Sequence, residues 1–139
     1  MLEDSNTACP AKPLRVYLVE DSPIIVGLLR GLLRAEPTLE IVGHATQAGL
    51  AAKQIVSLAP DVAIIDIALE NSSGFEVLRN LSSRSERRPI VMVLSNFSSP
   101  RYRDEAAKQG ANYFFDKNGE ILNLVGAIVF IARQNSQTQ

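Results

Sequence analysis

The chain has 139 residues, of which 14 are Lys or Arg and 15 are Asp or Glu, giving a formal charge of −1 with the two signs intermingled. That length holds one domain whose folding buries roughly 70% of the unfolded chain's surface, and it leaves no room for a second functional module. The charge balance supplies neither a basic footprint for nucleic acid nor an acidic solvating tail.

Residues 1–13 are polar, contain the single Cys9 and read as a flexible N-terminal tail. They lack the basic start and apolar run of a secretion signal, and no apolar stretch elsewhere approaches a membrane span. One cysteine forms no internal disulfide, which suits a reducing compartment. The expectation is a soluble cytoplasmic protein with one domain over residues 14–133 and a polar C-terminal tail at 134–139.

From Leu14 onward, short β-branched apolar runs alternate with amphipathic segments, the pattern of a parallel sheet covered by helices. Strands are expected at Leu14–Val19, Leu39–Gly43, Val62–Ile65, Ile90–Leu94 and Asn112–Phe115. Several are nearly continuous apolar runs, as strands buried on both faces must be.

The first helix opens at Ser22-Pro23, a capping hydroxyl before a proline in the first turn, and carries Ile25, Leu28, Leu29, Leu32 and Leu33 at helical spacing before Pro37. Further helices are expected at Gln47–Leu58, Gly74–Leu81, Pro100–Gln109 and from about Glu120 to Arg133. Pro60, the charged loop Arg84–Arg88 and Gly110 supply stops.

In the last helix, Ile121, Val125, Ile128 and Ala132 make one face, Phe130 falls nearly opposite, and Leu122 and Val129 lie on the flank. An apolar flank on a surface helix suggests a contact patch.

The polar residues that interrupt the strands sit at their C-terminal ends: Glu20 and Asp21 after the first, Asp66 after the third, Ser95 after the fourth, Lys117 after the fifth. Open α/β sheets bind ligands beyond these ends, where the strand order reverses, so the order 2-1-3-4-5 would bring all five residues together.

Three carboxylates in one crevice repel, each pair at ~4 Å costing about 4 kcal/mol at an effective dielectric of 20. A hard divalent cation relieves this, and Mg²⁺ uses one or two carboxylates, several waters and a phosphate oxygen. Lys117 offers a positive charge for a phosphoryl oxygen, Ser95 a hydroxyl donor, and the central Asp66 a nucleophile.

The run LRVYLVEDSP, the segment PDVAIID, the LSN step and FFDK together resemble response-regulator receiver domains, over Leu14 to Arg133. The stretch AEPTLEIVGHA resembles the NarL and FixJ subfamily, which usually carries a helix-turn-helix output domain that this sequence lacks.

The resemblance implies a doubly wound (βα)5, flavodoxin-like α/β fold with a five-stranded parallel sheet. It implies a phospho-acceptor of a two-component or phosphorelay system rather than an enzyme. Asp66 would take a phosphoryl group from a sensor histidine kinase or a phosphotransfer protein. Mg²⁺ or Mn²⁺ would be held by Glu20, Asp21, Asp66 and the backbone carbonyl of Ala68. Ser95 and Lys117 would bind the phosphoryl group, and Ser95 with Phe114 would switch the surface of helix four, strand five and helix five. That surface would meet a downstream protein or a second copy, with Leu122, Val129 and Phe130 as the possible patch.

Four positions depart from the family pattern. Glu70 stands where a proline is usual four residues after the acceptor, and Asn96 stands where a very small residue follows the switch hydroxyl. Ala68 and Phe97 offer no side chain to orient an attacking water, so a long-lived acyl phosphate is expected.

Other readings are weaker. An aspartate-nucleophile, metal-dependent phosphatase would resemble a D-x-D pattern, but Ala68 occupies the second acid's place. A dinucleotide- or flavin-binding module needs a glycine-rich first turn, and VEDSPI is acidic. A DNA-binding regulator requires this chain to be a fragment of something longer. His44, at the end of the second strand and away from the expected crevice, is read as structural or solvent-exposed. Tyr113 and Phe115 are read as strand packing, and Arg101 and Arg103 as a solvated helix face.

Overall fold

Five runs line up as one parallel sheet: the three central ones are apolar and buried on both faces, the two outer ones are only partly buried, and helical crossovers return the chain to the same end of the sheet each time. The computed structural model describes residues 12–83 and 87–137. Cys9 and nearly all of the expected N-terminal tail, part of the charged loop, and the last two residues lie outside the described residues.

The elements run β1 (Leu14–Val19), α1 (Pro23–Arg34), β2 (Leu39–Ala45), α2 (Ala48–Leu58), β3 (Val62–Ile65), α3 (Gly74–Ser82), β4 (Ile90–Ser95), α4 (Pro100–Lys108), β5 (Tyr113–Asp116) and α5 (Ile121–Gln137). The sheet order is β2-β1-β3-β4-β5, with every pair parallel. This is the doubly wound (βα)5 arrangement, and its order reverses beside β1, opening a crevice at the C-terminal ends of β1 and β3.

Side chains alternate between two core clusters. Tyr17, Val19, Ala63, Ile65, Val91 and Val93 face α2, α3 and α4 through Ile55, Val77, Leu78 and Ala106. Val16, Leu18, Val62, Ile64, Met92 and Leu94 face α1 and α5 through Leu29, Leu33, Leu124 and Ile128.

Local signals set the helix starts. The Ser22 hydroxyl accepts the Ile25 N–H at 3.3 Å with Pro23 in the first turn, and α3 opens with a capping box between Ser73 and Glu76. In α1 the buried line is Val26, Leu29 and Leu33, while Leu28 is exposed.

Several elements end later than expected, two of them by more than one residue. β2 extends to Ala45, including His44, and α5 continues through Gln137. The polar run after Ala132 contains neither Gly nor Pro, so nothing in it stops a helix. The buried face of α5 is also turned from the expected one: Leu124 joins Ile128 and Ala132, while Ile121 and Val125 are half-buried. Val129 is half-buried on the flank and packs against the α1–α5 cluster, whereas Leu122 and Phe130 are 68% and 64% exposed. No helix among the described residues is long and apolar enough to cross a membrane.

Candidate functional site

The turn after β1 and the end of β3 bring Glu20, Asp21 and Asp66 together, with a carboxylate oxygen from each within 4.8 Å of the others. Glu20 and Asp66 are only 2% and 3% exposed, and Asp21 is half-buried. The backbone places them: Glu20 N–H donates to Ala45 O, and Asp66 N–H donates to Val19 O, so both residues sit on the last rungs of the ladder.

Lys117, from the end of β5, reaches into this cluster. Its Nζ lies 2.8 Å from Asp66 Oδ2 and 3.0 and 3.1 Å from the two oxygens of Glu20. The other Asp66 oxygen accepts the Ala68 N–H at 3.0 Å, and Glu20 Oε2 accepts the Ser22 N–H at 3.1 Å. The N–H of Glu70 donates to Asp21 Oδ2, a contact that the usual proline at that position could not make. Glu70 thus bears on the site through its main chain, tying the β3–α3 loop to Asp21.

One ammonium among three carboxylates leaves a residual charge of about −2 in a mostly buried crevice. Burial, then the charge of Asp66, hold the Glu20 carboxyl above its ordinary range despite the lysine and the Ser22 N–H. For Lys117 burial acts the other way, but hydrogen bonds to Asp66 and Glu20 and their charges outweigh it and raise the ammonium pKa. An all-oxygen donor set with excess negative charge fits a hard divalent cation.

Ser95 is fully buried at the end of β4, where its Oγ accepts the Phe97 N–H at 3.1 Å and its carbonyl accepts the Lys117 N–H at 3.0 Å. That backbone bond seats the lysine beside the serine. Asn96 and Phe97 are exposed, with the Phe97 ring centroid 5.4 Å from that of Tyr102. Ala68 is exposed on the loop beyond Asp66. Phe114 is half-buried on edge strand β5 and packs against the α2–α4 core cluster. Leu122 and Phe130 lie on α5, outside the carboxylate cluster.

Three residues around the site escape the sequence reading. Arg103 is not a freely solvated side chain: it lies over Phe114 and donates to the carbonyls of Ser98 and Phe114. His44 borders the crevice, its Nε2 lying 2.8 Å from the Glu20 carbonyl oxygen. Gly74 is pressed against the main chain of the acceptor, so that a Cβ there would stand 2.8 Å from Asp66 C and 2.7 Å from Ile67 Cα. The only signal for His44 was its place at the end of a strand next to β1; the other two contacts are tertiary.

A fold with a lysine-bridged acidic crevice at this position has the arrangement expected of a receiver domain, and the comparisons agree. The family model described as response regulator receiver domain matches residues 16–129. This chain belongs to that family.

It is 33% identical over 115 residues to the transcriptional regulatory protein YvfU of Bacillus subtilis (strain 168), covering 83% of this chain and 57% of that protein. It is 31% identical over 108 residues to a protein-glutamate methylesterase/protein-glutamine glutaminase 2 of Koribacter versatilis (strain Ellin345), covering 78% of this chain and 30% of that one. The chain therefore spans less than two thirds of the length of these relatives. Among solved structures, the receiver domain of a NarL regulator from Mycobacterium tuberculosis superposes with a TM-score of 0.78 at 25% identity, covering 88% of this chain and 98% of that one.

Proposed function

We propose that Asp66 is the phospho-acceptor of a two-component or phosphorelay system, charged by a sensor histidine kinase or a phosphotransfer protein. The observation that carries this reading is Lys117 bridging Asp66 and Glu20 beside Asp21. A bound Mg²⁺ or Mn²⁺, held by Glu20, Asp21, Asp66 and the Ala68 carbonyl, supplies neutralisation of charge on the phosphoryl oxygens.

A carboxylate oxygen of Asp66 attacks phosphorus, the P–O bond forms as the P–N bond to the donor imidazole breaks, and the imidazole leaves with the electron pair. Lys117 follows the negative charge from the carboxylate to a phosphoryl oxygen. Ser95 exchanges its Phe97 N–H contact for a second phosphoryl oxygen, to which its hydroxyl donates. Phe114 then repacks, and the α4–β5–α5 surface changes for a downstream protein. Leu122 and Phe130 on α5 extend this surface and would also serve a homodimer.

Two kinds of relative, a transcriptional regulator and a methylesterase, carry the same module, so the output lies outside what the module specifies. The decisive experiment incubates protein with Mg²⁺ and acetyl phosphate and compares intact masses. Wild type gains one phosphoryl mass and Asp66→Asn gains none. A folded, metal-binding wild type that gains none, or an undiminished adduct on the variant, overturns the assignment. For the dimer, Phe130→Glu should reduce the native mass of any phosphorylated assembly; an unchanged assembly rules that patch out.

A further inference from the structure

We propose that His44 is a positioning residue for the Glu20–Asp21 turn, holding the Glu20 carbonyl so that both carboxylates face the cation they share with Asp66. The inference rests on the metal-site reading above.

The contact itself is unambiguous in direction. A carbonyl oxygen only accepts, so Nε2, 2.8 Å away, carries the proton and donates. The bond spans two neighbouring strands, since β1 and β2 pair Leu18 with His44 and Val19 with Ala45. Glu20 N–H to Ala45 O is the last main-chain bond of that ladder, at 3.1 Å. The Glu20 carbonyl points beyond it, where the chain leaves the sheet and β2 is an edge strand with no further neighbour. His44 supplies the donor that the ladder no longer does.

The remaining anchors act on side chains rather than on this carbonyl. Ser22 N–H holds Glu20 Oε2, Lys117 holds both Glu20 oxygens, and Glu70 N–H holds Asp21 Oδ2. A cation entering the crevice competes for those same oxygens. The His44 bond to the main chain is not in that competition, so it fixes the peptide between the two acids both before and after a metal binds. Mg²⁺ tolerates little deviation from octahedral geometry, so freedom at this peptide weakens binding directly.

The test compares wild type, His44→Phe, His44→Gln and His44→Asn at about pH 8, above the ordinary histidine range. Free Mn²⁺ is followed by electron paramagnetic resonance and Mg²⁺ binding by calorimetry, with thermal melts in chelator as a control on folding. Glutamine places its amide nitrogen near the Nε2 position, whereas asparagine reaches only the Nδ1 position. Phe and Asn are expected to weaken metal binding about tenfold and Gln to stay within about twofold of wild type, the scale of a lost or kept supporting hydrogen bond.

Unchanged affinity in His44→Phe overturns the inference, as does equal weakening in all three variants, which would mean that packing and not the donor matters. Should the Phe variant fail to fold, the Gln and Asn pair carries the same decision. A wild type that binds neither metal overturns the metal-site reading instead, and this inference with it.

Discussion

The guanidinium carbon of Arg103 stands 4.8 Å from the centroid of the Phe114 ring, and Nη1 of the same side chain donates to the Phe114 carbonyl at 3.3 Å. Its Nε donates to Ser98 O at 2.9 Å and Nη2 reaches Glu120 Oε1 at 3.4 Å. One side chain of α4 therefore ties the β4–α4 loop, β5 and the start of α5. Ser98, whose hydroxyl donates to Asp116 Oδ2 at 2.6 Å, lies only three residues beyond Ser95. On the proposed switch, a move of Ser95 toward the crevice would be transmitted through this short segment to the anchor that holds the guanidinium over the ring.

Arg103→Ala is expected to lower stability by about 1 kcal/mol, the scale of a partly exposed cation–π contact with its hydrogen bonds. Arg103→Lys should recover little of it, because a point charge cannot stack on the ring and donate in a fork at once. Urea titration of the three proteins checks this; full recovery by lysine would mean that charge alone matters.

In chelator, Glu20→Gln should be more stable than wild type at neutral pH. The folded Glu20 pKa lies above the ordinary 4.5, because burial and Asp66 penalise its charge. The proton is held more tightly folded than unfolded, so that favourable share is complete below the unfolded value and is lost as pH rises through the folded one. The gain from glutamine should accordingly shrink as pH falls through the folded value and be gone by about pH 4.5. Saturating Mg²⁺ should then stabilise wild type more than the variant. Thermal melts across pH, with and without Mg²⁺, test both halves.

Lys117 gives the same sign at the other end of the scale. Its folded pKa exceeds the ordinary 10.5, so its contribution is intact below that value and disappears as pH rises through the folded pKa. Wild type should therefore lose stability in strong alkali faster than Lys117→Met does, and parallel alkaline unfolding curves would contradict the pairing.

Gly74→Ala should destabilise by about 3 kcal/mol, since the new methyl meets main-chain atoms of Asp66 and Ile67 that cannot rotate away. Phosphoryl uptake by any folded fraction should fall too, because the acceptor's own peptide is displaced. Urea titration reads the first effect and intact mass the second.

Ala68→Asn should shorten the acyl-phosphate lifetime about tenfold by giving the attacking water an orienting group, a modest share of what positioned acid–base groups achieve. Hydrolysis followed by mass after donor removal decides it; an already short-lived wild-type adduct would remove the basis for the expectation.

The sheet was legible because strands buried on both faces read as unbroken apolar runs, and the acidic cluster because Glu20, Asp21 and Asp66 interrupt such runs at their ends. Ser22-Pro23 likewise announced α1 through local chemistry alone. Arg103 was not legible, since an arginine on a polar helix looks solvated until three other segments are seen to converge on it. His44 was misplaced for a related reason: its value lies in a bond to a neighbouring strand's main chain, which carries no side-chain signature. On α5 the inner face was legible at Ile128 and Ala132 but not at Leu124, because the helix is apolar nearly all round and periodicity alone does not choose between Leu124 and Val125 as the inner residue.

Lys117 and Glu20 touch across 97 positions of sequence. On a ribosome the acidic residues emerge first, and the ammonium that joins them arrives only after four strands have been made. A nascent chain, or one cut short before β5, would carry the acceptor without its counter-charge and lack the last strand of the sheet. If that counter-charge is needed for phosphoryl transfer, abortive products would not compete with finished molecules for the donor.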